Sequence, residues 1–288
     1  MALTIGSFDG VHVGHQEVLR RLRAAAARER VPAALITLDP HPRCVLDPEN
    51  CPQSITTLGE KLALIEAQGV EEAIVVEFNR EVAALGPDEF MARLRAAMEP
   101  RVLVVGFDFA FGRGRQGSRA WLEQNGYRVE EVPPYRLQGE ELHSSDVRRL
   151  VTLGEIGDAN RLLGREFSMS GLVQPGDRIG QTIGFPTVNI AVEPHKLIPK
   201  RGAYAGRAAL PDGLRRAALS VGYRPTLDGK ELKVEGYILD FEGDLYQHPV
   251  ELRFVARLHD DIKFPSLEAL VAQIARDVEE TRRLVRFD

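Results

Sequence analysis

The chain has 288 residues, a length that suits one large domain or two ordinary ones. Hydrophobic residues make up 44% and charged residues 27%, which excludes a disordered or fibrous protein and indicates a packed globular one. The formal net charge of −5 provides no basic field for non-specific nucleic-acid binding, so we expect no nucleic-acid partner. No apolar run is long enough to span a bilayer, and we therefore expect a cytoplasmic protein without a membrane partner.

The first half of the chain alternates short apolar runs with amphipathic helical patterns. Strands are predicted at Leu3–Phe8, Ala33–Leu38, Ala73–Phe78, Val102–Phe107 and Tyr127–Val132. Helices are predicted between and after them at His15–Arg30, Glu60–Gln68, Pro87–Met98 and Ser118–Asn125. This alternation predicts parallel βαβ units, whose ligands lie beyond the carboxyl ends of the strands. The functional loops should therefore follow the first, second and fourth strands.

The second half has a different pattern, in which predicted strands follow one another with turns between them. These strands are Ser168–Gln174, Ala203–Ala209, Arg216–Val221, Lys233–Phe241 and Val250–Leu258. A short helix, Gly157–Arg165, precedes them, and a closing amphipathic helix extends from its N-cap Ser266 to about Val285. The pattern predicts an antiparallel barrel or sandwich. We place the domains at residues 1–165 and 166–288.

The two cysteines of the chain are Cys44 and Cys51. Their spacing matches no zinc pattern, and two cysteines do not make a disulfide framework. We therefore expect free thiols in a reducing compartment.

A glycine-rich segment, Gly6–His15, joins the first predicted strand to the first helix and reads Gly-Ser-Phe-Asp-Gly-Val-His-Val-Gly-His. Glycines let the backbone approach a ligand closely, and the free N–H groups of a helix start bind phosphate. His12 and His15 lie one turn apart, where both can contact one phosphate chain. The segment predicts a nucleotide-phosphate site. Its glycine spacing does not match a dinucleotide-binding fingerprint. A zinc site would need a third ligand besides the two histidines. The purely structural alternative is a glycine-rich turn with two surface histidines.

A second glycine-rich run, Gly176–Asn189, ends in Gly-Phe-Pro-Thr-Val-Asn. Thr187 and Asn189 are two residues apart, so on a strand their side chains face the same side. A hydroxyl and an amide oxygen suit Mg²⁺, which keeps water and substrate phosphate as its other ligands. The alternative is an ordinary Thr/Asn pair on a barrel strand.

Several segments together resemble one known family, the bacterial bifunctional riboflavin kinase/FAD synthetases. Gly6–His15 resembles the His-x-x-His signature of its nucleotidylyltransferase module. Three further segments resemble other parts of that module: Leu38–Pro42, Val105–Gly112 and Ser144–Arg148. The riboflavin kinase module is matched by Gly184–Asn189, Pro199–Ala205, Val221–Thr226 and Val234–Tyr246. The resemblance covers nearly the whole chain.

The resemblance implies an α/β fold: a parallel-sheet, Rossmann-like nucleotidyltransferase domain, then an antiparallel β-barrel riboflavin kinase domain with a C-terminal helix. It implies that ATP and Mg²⁺ convert riboflavin to FMN, and that a second ATP then converts FMN to FAD and pyrophosphate. Asp146 and Phe107 depart from the family pattern. They motivate one alternative, a kinase with a weak or inactive adenylyltransferase domain; a non-enzymatic flavin-binding protein is another.

The resemblance also implies roles for individual residues. Glu235 is the general base of the kinase reaction, and His12, His15 and Arg148 stabilise phosphates during adenylyl transfer. Metal binding is implied for Thr187 and Asn189, and flavin binding for Pro40, Pro42, Asp108 and Phe109. ATP binding is implied for Gly6, Phe8, Asp9, Gly10, Gly14, Ser144, Ser145, Gly176, Gly180, Gly184 and Pro186.

Overall fold

The computed structural model describes residues 1–137, 139–176, 179–226 and 229–287. Asp177 and Arg178 of the glycine-rich run Gly176–Asn189 lie outside the described residues, as does the chain end Asp288. The chain divides into two compact units, Met1–Ser144 and Ser145–Asp288.

The first unit contains a parallel sheet with the strand order β3-β2-β1-β4-β7. Its described strands are β1 (Ala2–Gly6), β2 (Ala33–Asp39), β3 (Glu72–Glu77), β4 (Val102–Gly106), β5 (Ala110–Phe111), β6 (Gly117–Ser118), β7 (Val129–Val132), β8 (Arg136–Leu137) and β9 (Glu140–Glu141). The helices are α1 (Val13–Glu29), α2 (Pro42–Leu46), α3 (Leu58–Ala67), α4 (Arg80–Ala84), α5 (Pro87–Ala97) and α6 (Arg119–Gln124), with 3₁₀ turns at Pro48–Asn50 and Arg113–Arg115. The strands β5 with β6 and β8 with β9 form short antiparallel pairs.

Both faces of the parallel sheet are covered, which explains why β4 is continuously apolar. On β4, Val102 and Val104 pack into a core with Leu19 and Leu22 of α1. The alternate residues of β4, Leu103 and Val105, pack on the other face with Met91, Leu94 and Leu122. Because β1, β2 and β4 are parallel, the loops that follow them emerge at one edge of the sheet.

The second unit is a closed antiparallel barrel with the strand order β10-β11-β14-β13-β12-β15. Its described strands are β10 (Phe167–Gln174), β11 (Thr187–Ile190), β12 (Gly202–Leu210), β13 (Gly213–Thr226), β14 (Gly229–Ile238) and β15 (Pro249–Asp260). Its helices are α7 (Ser144–Leu153, which begins at the last residue of the first unit), α8 (Ile156–Leu163), α9 (Ile179–Thr182) and α10 (Leu267–Leu284).

The predicted fold class is confirmed, and the second unit is a barrel, not a sandwich. Ser266 caps the closing helix as predicted, because its hydroxyl accepts the N–H of Ala269 at 3.3 Å. The short strand β11 is absent from the strands predicted from the sequence, although the same-face placement of Thr187 and Asn189 holds. Among the helices that the structure describes, none combines the length and apolar character needed to cross a membrane.

Candidate active sites

The two histidines of the Gly6–His15 segment lie together at the start of α1. His12 is the N-cap residue of the helix, and its Nδ1 accepts the backbone N–H of His15 at 3.3 Å. The two imidazole rings stack with their centroids 3.7 Å apart and their planes 18° from parallel. His12 is buried, with 4% of its surface exposed. The structure therefore brings both predicted catalytic histidines to one helix N-terminus, where the free N–H groups favour an anion.

The backbone of this segment is tightly folded. Gly10 has φ 81°, and the neighbouring Phe8 and Val11 also lie in the left-handed region, with φ 48° and 39°. A Cβ on Gly10 would lie 2.9 Å from the side chain of Ile55. Position 10 therefore requires glycine both for its backbone conformation and for space.

Asp9 anchors the same segment to the chain just before α3. Its two carboxylate oxygens accept the backbone N–H groups of Ile55 and Thr56, each at 3.1 Å, and the Thr56 hydroxyl lies 3.3 Å from one of them. The N–H of Gly10 donates to the same hydroxyl at 3.1 Å. Asp9 is 6% exposed, so these are buried, charge-assisted bonds. The structure gives Asp9 a role in shaping the loop, and the predicted ATP contact of Asp9 and Gly10 stays a prediction.

A cleft of about 590 Å³ opens beside this segment, a volume typical of small-molecule sites. Six predicted nucleotide-site residues line it: Gly6, Phe8, His12, Gly14, His15 and Ser144. Three predicted flavin-site residues also line it: Pro42, Asp108 and Phe109. The part of the lining that the structure describes does not include Asp9, Gly10 or Pro40. One cleft thus brings together most of the predicted nucleotide and flavin residues of the first domain.

Several residues of the cleft were missed from the sequence. The aromatic side chains of Phe78, Phe90 and Tyr135 line it, and so does the cation of Arg115. The Nη2 of Arg115 donates to the carbonyl oxygen of Asp108 at 2.9 Å, which ties the loop after β4 to the following 3₁₀ turn. The signal that could have found Arg115 is its position soon after a strand end, in a loop with alternating glycines.

Cys44 and Cys51 form a disulfide, so the expectation of free thiols is wrong. The helix α2 and the 3₁₀ turn Pro48–Asn50 fold this loop back on itself, and the two Cα atoms lie 4.2 Å apart. The separation of seven residues between the two cysteines did not predict that the chain reverses direction between them. The closed loop begins beside Pro42 and carries Leu46, and both residues line the cleft.

The serine-rich segment lies at the start of α7. The Ser144 hydroxyl donates to the carbonyl oxygen of Asp9 at 3.1 Å, which ties the Gly6–His15 segment to the first residue of α7. Ser145 is exposed and Arg148 is half-buried on the same helix. They are three residues apart and so share a helix face. Their contact with phosphate stays a prediction.

The predicted residues of the second domain meet on two neighbouring strands. In the antiparallel register of β11 and β14, Asn189 lies opposite Glu235 and Thr187 lies opposite Tyr237. Val234 and Ile238 of β14 are buried in the barrel, so the alternating Glu235 and Tyr237 lie on its other face. Cross-strand partners share a face, which brings the proposed base and both proposed metal ligands to one surface of the barrel.

The surroundings of Asn189 fit a cation ligand. Its Oδ1 is buried and, within the described residues, has no hydrogen-bond partner, which is unusual for an amide oxygen. A Cβ on Gly176 would lie 2.3 Å from Asn189 Nδ2, so the glycine backbone packs directly against the amide. An acceptor held in place without a donor, opposite a carboxylate, suits Mg²⁺. The Thr187 side chain is exposed on the same face.

The other two glycines of this run, Gly180 and Gly184, are required for space and for backbone conformation, respectively. A Cβ on Gly180 would lie 2.3 Å from the carbonyl oxygen of Phe185, and Gly184 has φ 84°. The ring of Phe185 packs edge-on against Tyr237 with the centroids 5.3 Å apart. Pro186 is exposed between these residues and β11. The turn is thus folded onto the face that carries Glu235, while the ATP contacts of Gly176, Gly180, Gly184 and Pro186 stay predictions.

The fold and the two sites define a two-domain transferase that acts on nucleotide phosphates. The sequence model of the FAD synthetase family matches residues 1–146, and that of the riboflavin kinase family matches residues 163–285. A bifunctional riboflavin kinase/FMN adenylyltransferase of Listeria monocytogenes is 33% identical over 97% of this chain and 91% of its own length. One of Haemophilus influenzae is 34% identical over 98% and 93%. The chain belongs to the family of bifunctional riboflavin kinase/FMN adenylyltransferases, and it carries both domains of this FAD-forming enzyme family.

A solved structure shares this architecture. A protein of Streptococcus pneumoniae, described as a macrolide-efflux protein, superposes with a TM-score of 0.90. It is 31% identical in sequence, and the match covers 99% of this chain and 94% of that one. The efflux description belongs to that protein. The family predicted from the sequence motifs is confirmed by the two family matches and the relatives.

Proposed function

We propose that this chain makes FAD from riboflavin at two separate sites. The barrel transfers the γ-phosphoryl group of ATP to riboflavin, which gives FMN. The parallel-sheet domain then joins the AMP part of a second ATP to FMN, which gives FAD and pyrophosphate. The observation that carries the proposal is that one chain matches both families, with the cleft of the first unit inside residues 1–146 and the Asn189–Glu235 strand pair inside residues 163–285.

In the kinase reaction, Glu235 accepts the proton of the terminal ribityl hydroxyl while that oxygen attacks the γ-phosphorus and ADP leaves. Its place opposite Asn189 supports this role. Asn189 Oδ1 and the Thr187 hydroxyl hold Mg²⁺, which, when bound, neutralises charge on the ATP phosphates. Gly176 keeps the amide of Asn189 in place by direct packing.

In the adenylyl transfer, a phosphate oxygen of FMN attacks the α-phosphorus of ATP. The bond from the α-phosphorus to the oxygen that bridges it to the β-phosphorus breaks, and pyrophosphate leaves. No covalent intermediate with the enzyme forms. His12 and His15, together with the N–H groups at the start of α1, stabilise the phosphate charge. Pro42 and Phe109 contact the flavin in the aromatic part of the cleft.

Three further features belong to this proposal. Arg148 acts on the ATP phosphates of the adenylyl transfer, as its place in the serine-rich segment predicts. The functional domains comprise residues 1–165 and 166–288. The enzyme works in the cytoplasm, where its co-substrate ATP is supplied.

Product analysis of the purified protein tests the proposal. Incubation with riboflavin, ATP and Mg²⁺, followed by chromatography, should show FMN first and then FAD with an equal amount of pyrophosphate. If FMN forms and FAD does not, only the kinase part of the proposal is supported. A second reaction that starts from FMN and ATP then decides whether adenylyl transfer occurs at all. Flavin binding with no product would mean that neither reaction takes place.

A further inference from the structure

A buried lysine contacts the Gly6–His15 segment and takes no part in the chemistry proposed above. Lys61 is on α3 and is 6% exposed. Its Nζ donates to the carbonyl oxygen of Ser7 at 3.3 Å and to that of Leu38 at 3.5 Å. These two carbonyl groups lie at the carboxyl ends of β1 and β2, from which the loops of the cleft start.

A second donor converges on the same carbonyl group. Thr37 is fully buried, and its hydroxyl donates to the Ser7 carbonyl oxygen at 3.1 Å. The carbonyl of Ser7 is therefore held by two side chains from two different elements, β2 and α3. A loop peptide that has two fixed donors on one carbonyl has little freedom to rotate.

A lysine is an unusual side chain for this buried position. Lysine is among the residues that are least often buried, because removing an ammonium group from water is costly. Burial lowers the pKa of Lys61, while the negative charges of Asp39 and Asp9 act in the opposite direction. An apolar side chain of the same length would avoid the cost of burying a charge. This points to a role in the site.

The orientation of the peptide connects Lys61 to the cleft. In a trans peptide the C=O and the following N–H point in opposite directions. Since Thr37 and Lys61 hold the Ser7 carbonyl, the N–H of Phe8 points away from both of them. Ser7 and Phe8 line the cleft, and Phe8 has a φ of 48°, which is costly for a residue with a side chain. The two donors stabilise this unfavourable conformation.

We propose that Lys61 and Thr37 are positioning residues of the adenylyltransferase site, which hold the Ser7–Phe8 peptide so that its N–H binds a phosphate group of ATP. This inference rests on the proposed function of the cleft. Neither side chain touches the reacting atoms. Both act through one shared carbonyl group, so their effects on ATP binding should not add.

Two substitutions at Thr37 form a matched pair. Thr37→Val keeps the shape but removes the hydroxyl, and Thr37→Ser keeps the hydroxyl. We expect Thr37→Val to raise the KM for ATP in FMN adenylylation about tenfold, because a change of that size corresponds to the loss of one hydrogen bond. The kcat should change less than the KM. Thr37→Ser should stay close to wild type, and riboflavin phosphorylation should be unchanged in both variants.

Lys61→Met tests the second donor, with Glu66→Gln on the exposed face of α3 as its control. The KM for ATP should rise about tenfold in Lys61→Met and stay unchanged in Glu66→Gln. The double variant Thr37→Val/Lys61→Met should be little worse than either single variant. Additive losses, an unchanged KM in Lys61→Met, or equal effects of Thr37→Val and Thr37→Ser would overturn the inference.

Amide hydrogen exchange provides a readout that does not depend on FAD formation. In the wild-type protein, ATP should slow the exchange of a peptide that covers Gly6–His15, and this protection should be smaller in Thr37→Val and in Lys61→Met. If wild type makes no FAD but shows this pattern, the proposed reaction fails and the positioning role stands. If wild type makes FAD but protection is equal in all variants, the positioning role fails.

Discussion

The buried carboxylate of Asp9 offers the sharpest test of how the Gly6–His15 segment is held in place. In Asp9→Asn, the amide keeps one oxygen and replaces the other with an NH₂ group. Whichever way the amide is oriented, one of the two backbone N–H groups, that of Ile55 or that of Thr56, faces NH₂ instead of an acceptor. Leaving a buried N–H without an acceptor costs about 1–3 kcal/mol. We expect Asp9→Asn to lower the free energy of unfolding of the first unit by about 2 kcal/mol.

The single tryptophan, Trp121, makes this loss measurable, because its fluorescence reports on the first unit only. With a urea dependence of about 2 kcal/mol per M, the unfolding midpoint should fall by about 1 M. The exposed Glu66→Gln is the charge-matched control and should shift the midpoint by less than about 0.3 M. FMN adenylylation should fall with Asp9→Asn while riboflavin phosphorylation persists. Equal midpoints for the two variants would refute the anchoring role of Asp9.

Two further predictions concern a glycine and a surface ion pair. Gly176→Ala would place a Cβ 2.3 Å from Asn189 Nδ2. Riboflavin phosphorylation should therefore fall at least about tenfold, while FMN adenylylation is unchanged. A kinase rate within about twofold of wild type would contradict the close packing of Gly176 against Asn189. On α1, the hydrogen bond from Arg20 lowers the pKa of Glu17 from its ordinary 4.5 to about 2. A lowered carboxyl pKa stabilises the fold above pH 4.5, and this contribution is lost as the pH falls through about 2. In urea unfolding, the free energy of unfolding of Glu17→Gln should therefore be about 0.5 kcal/mol below that of wild type at pH 7, and this difference should disappear near pH 2. A difference that grows as the pH falls would contradict a stabilising ion pair between Glu17 and Arg20.

The elements with strong local patterns could be predicted from the sequence. β4 is continuously apolar because it is buried on both faces, and α1 follows directly from the glycine-rich segment. The strand β11 was harder, because it has four residues and follows a glycine-proline turn. α2 was also missed, since a helix of five residues leaves little periodicity to detect.

The candidate sites were predictable where neighbouring residues carry the signal. The strand–loop–helix context singled out His12 with His15, and the spacing of Thr187 and Asn189 predicted that they share a strand face, whereas the metal role of that pair came from the resemblance to the family. The role of Asp9 could not, because its partners Ile55 and Thr56 are 46 and 47 residues away. Lys61 was equally hidden, since a lysine in an amphipathic helix is normally exposed, and only the packing of α3 shows that it is buried.

The proposed function assigns the two reactions of one chain to two sites that do not share catalytic residues. The most direct test is product analysis of Glu235→Gln and His15→Ala, each supplied in separate reactions with riboflavin or with FMN, together with ATP and Mg²⁺. Glu235→Gln should form FMN from riboflavin at least about a hundredfold more slowly and still convert FMN to FAD. His15→Ala should form FMN at the wild-type rate and convert it poorly to FAD. Equal loss of both reactions in either variant would contradict the assignment of separate sites.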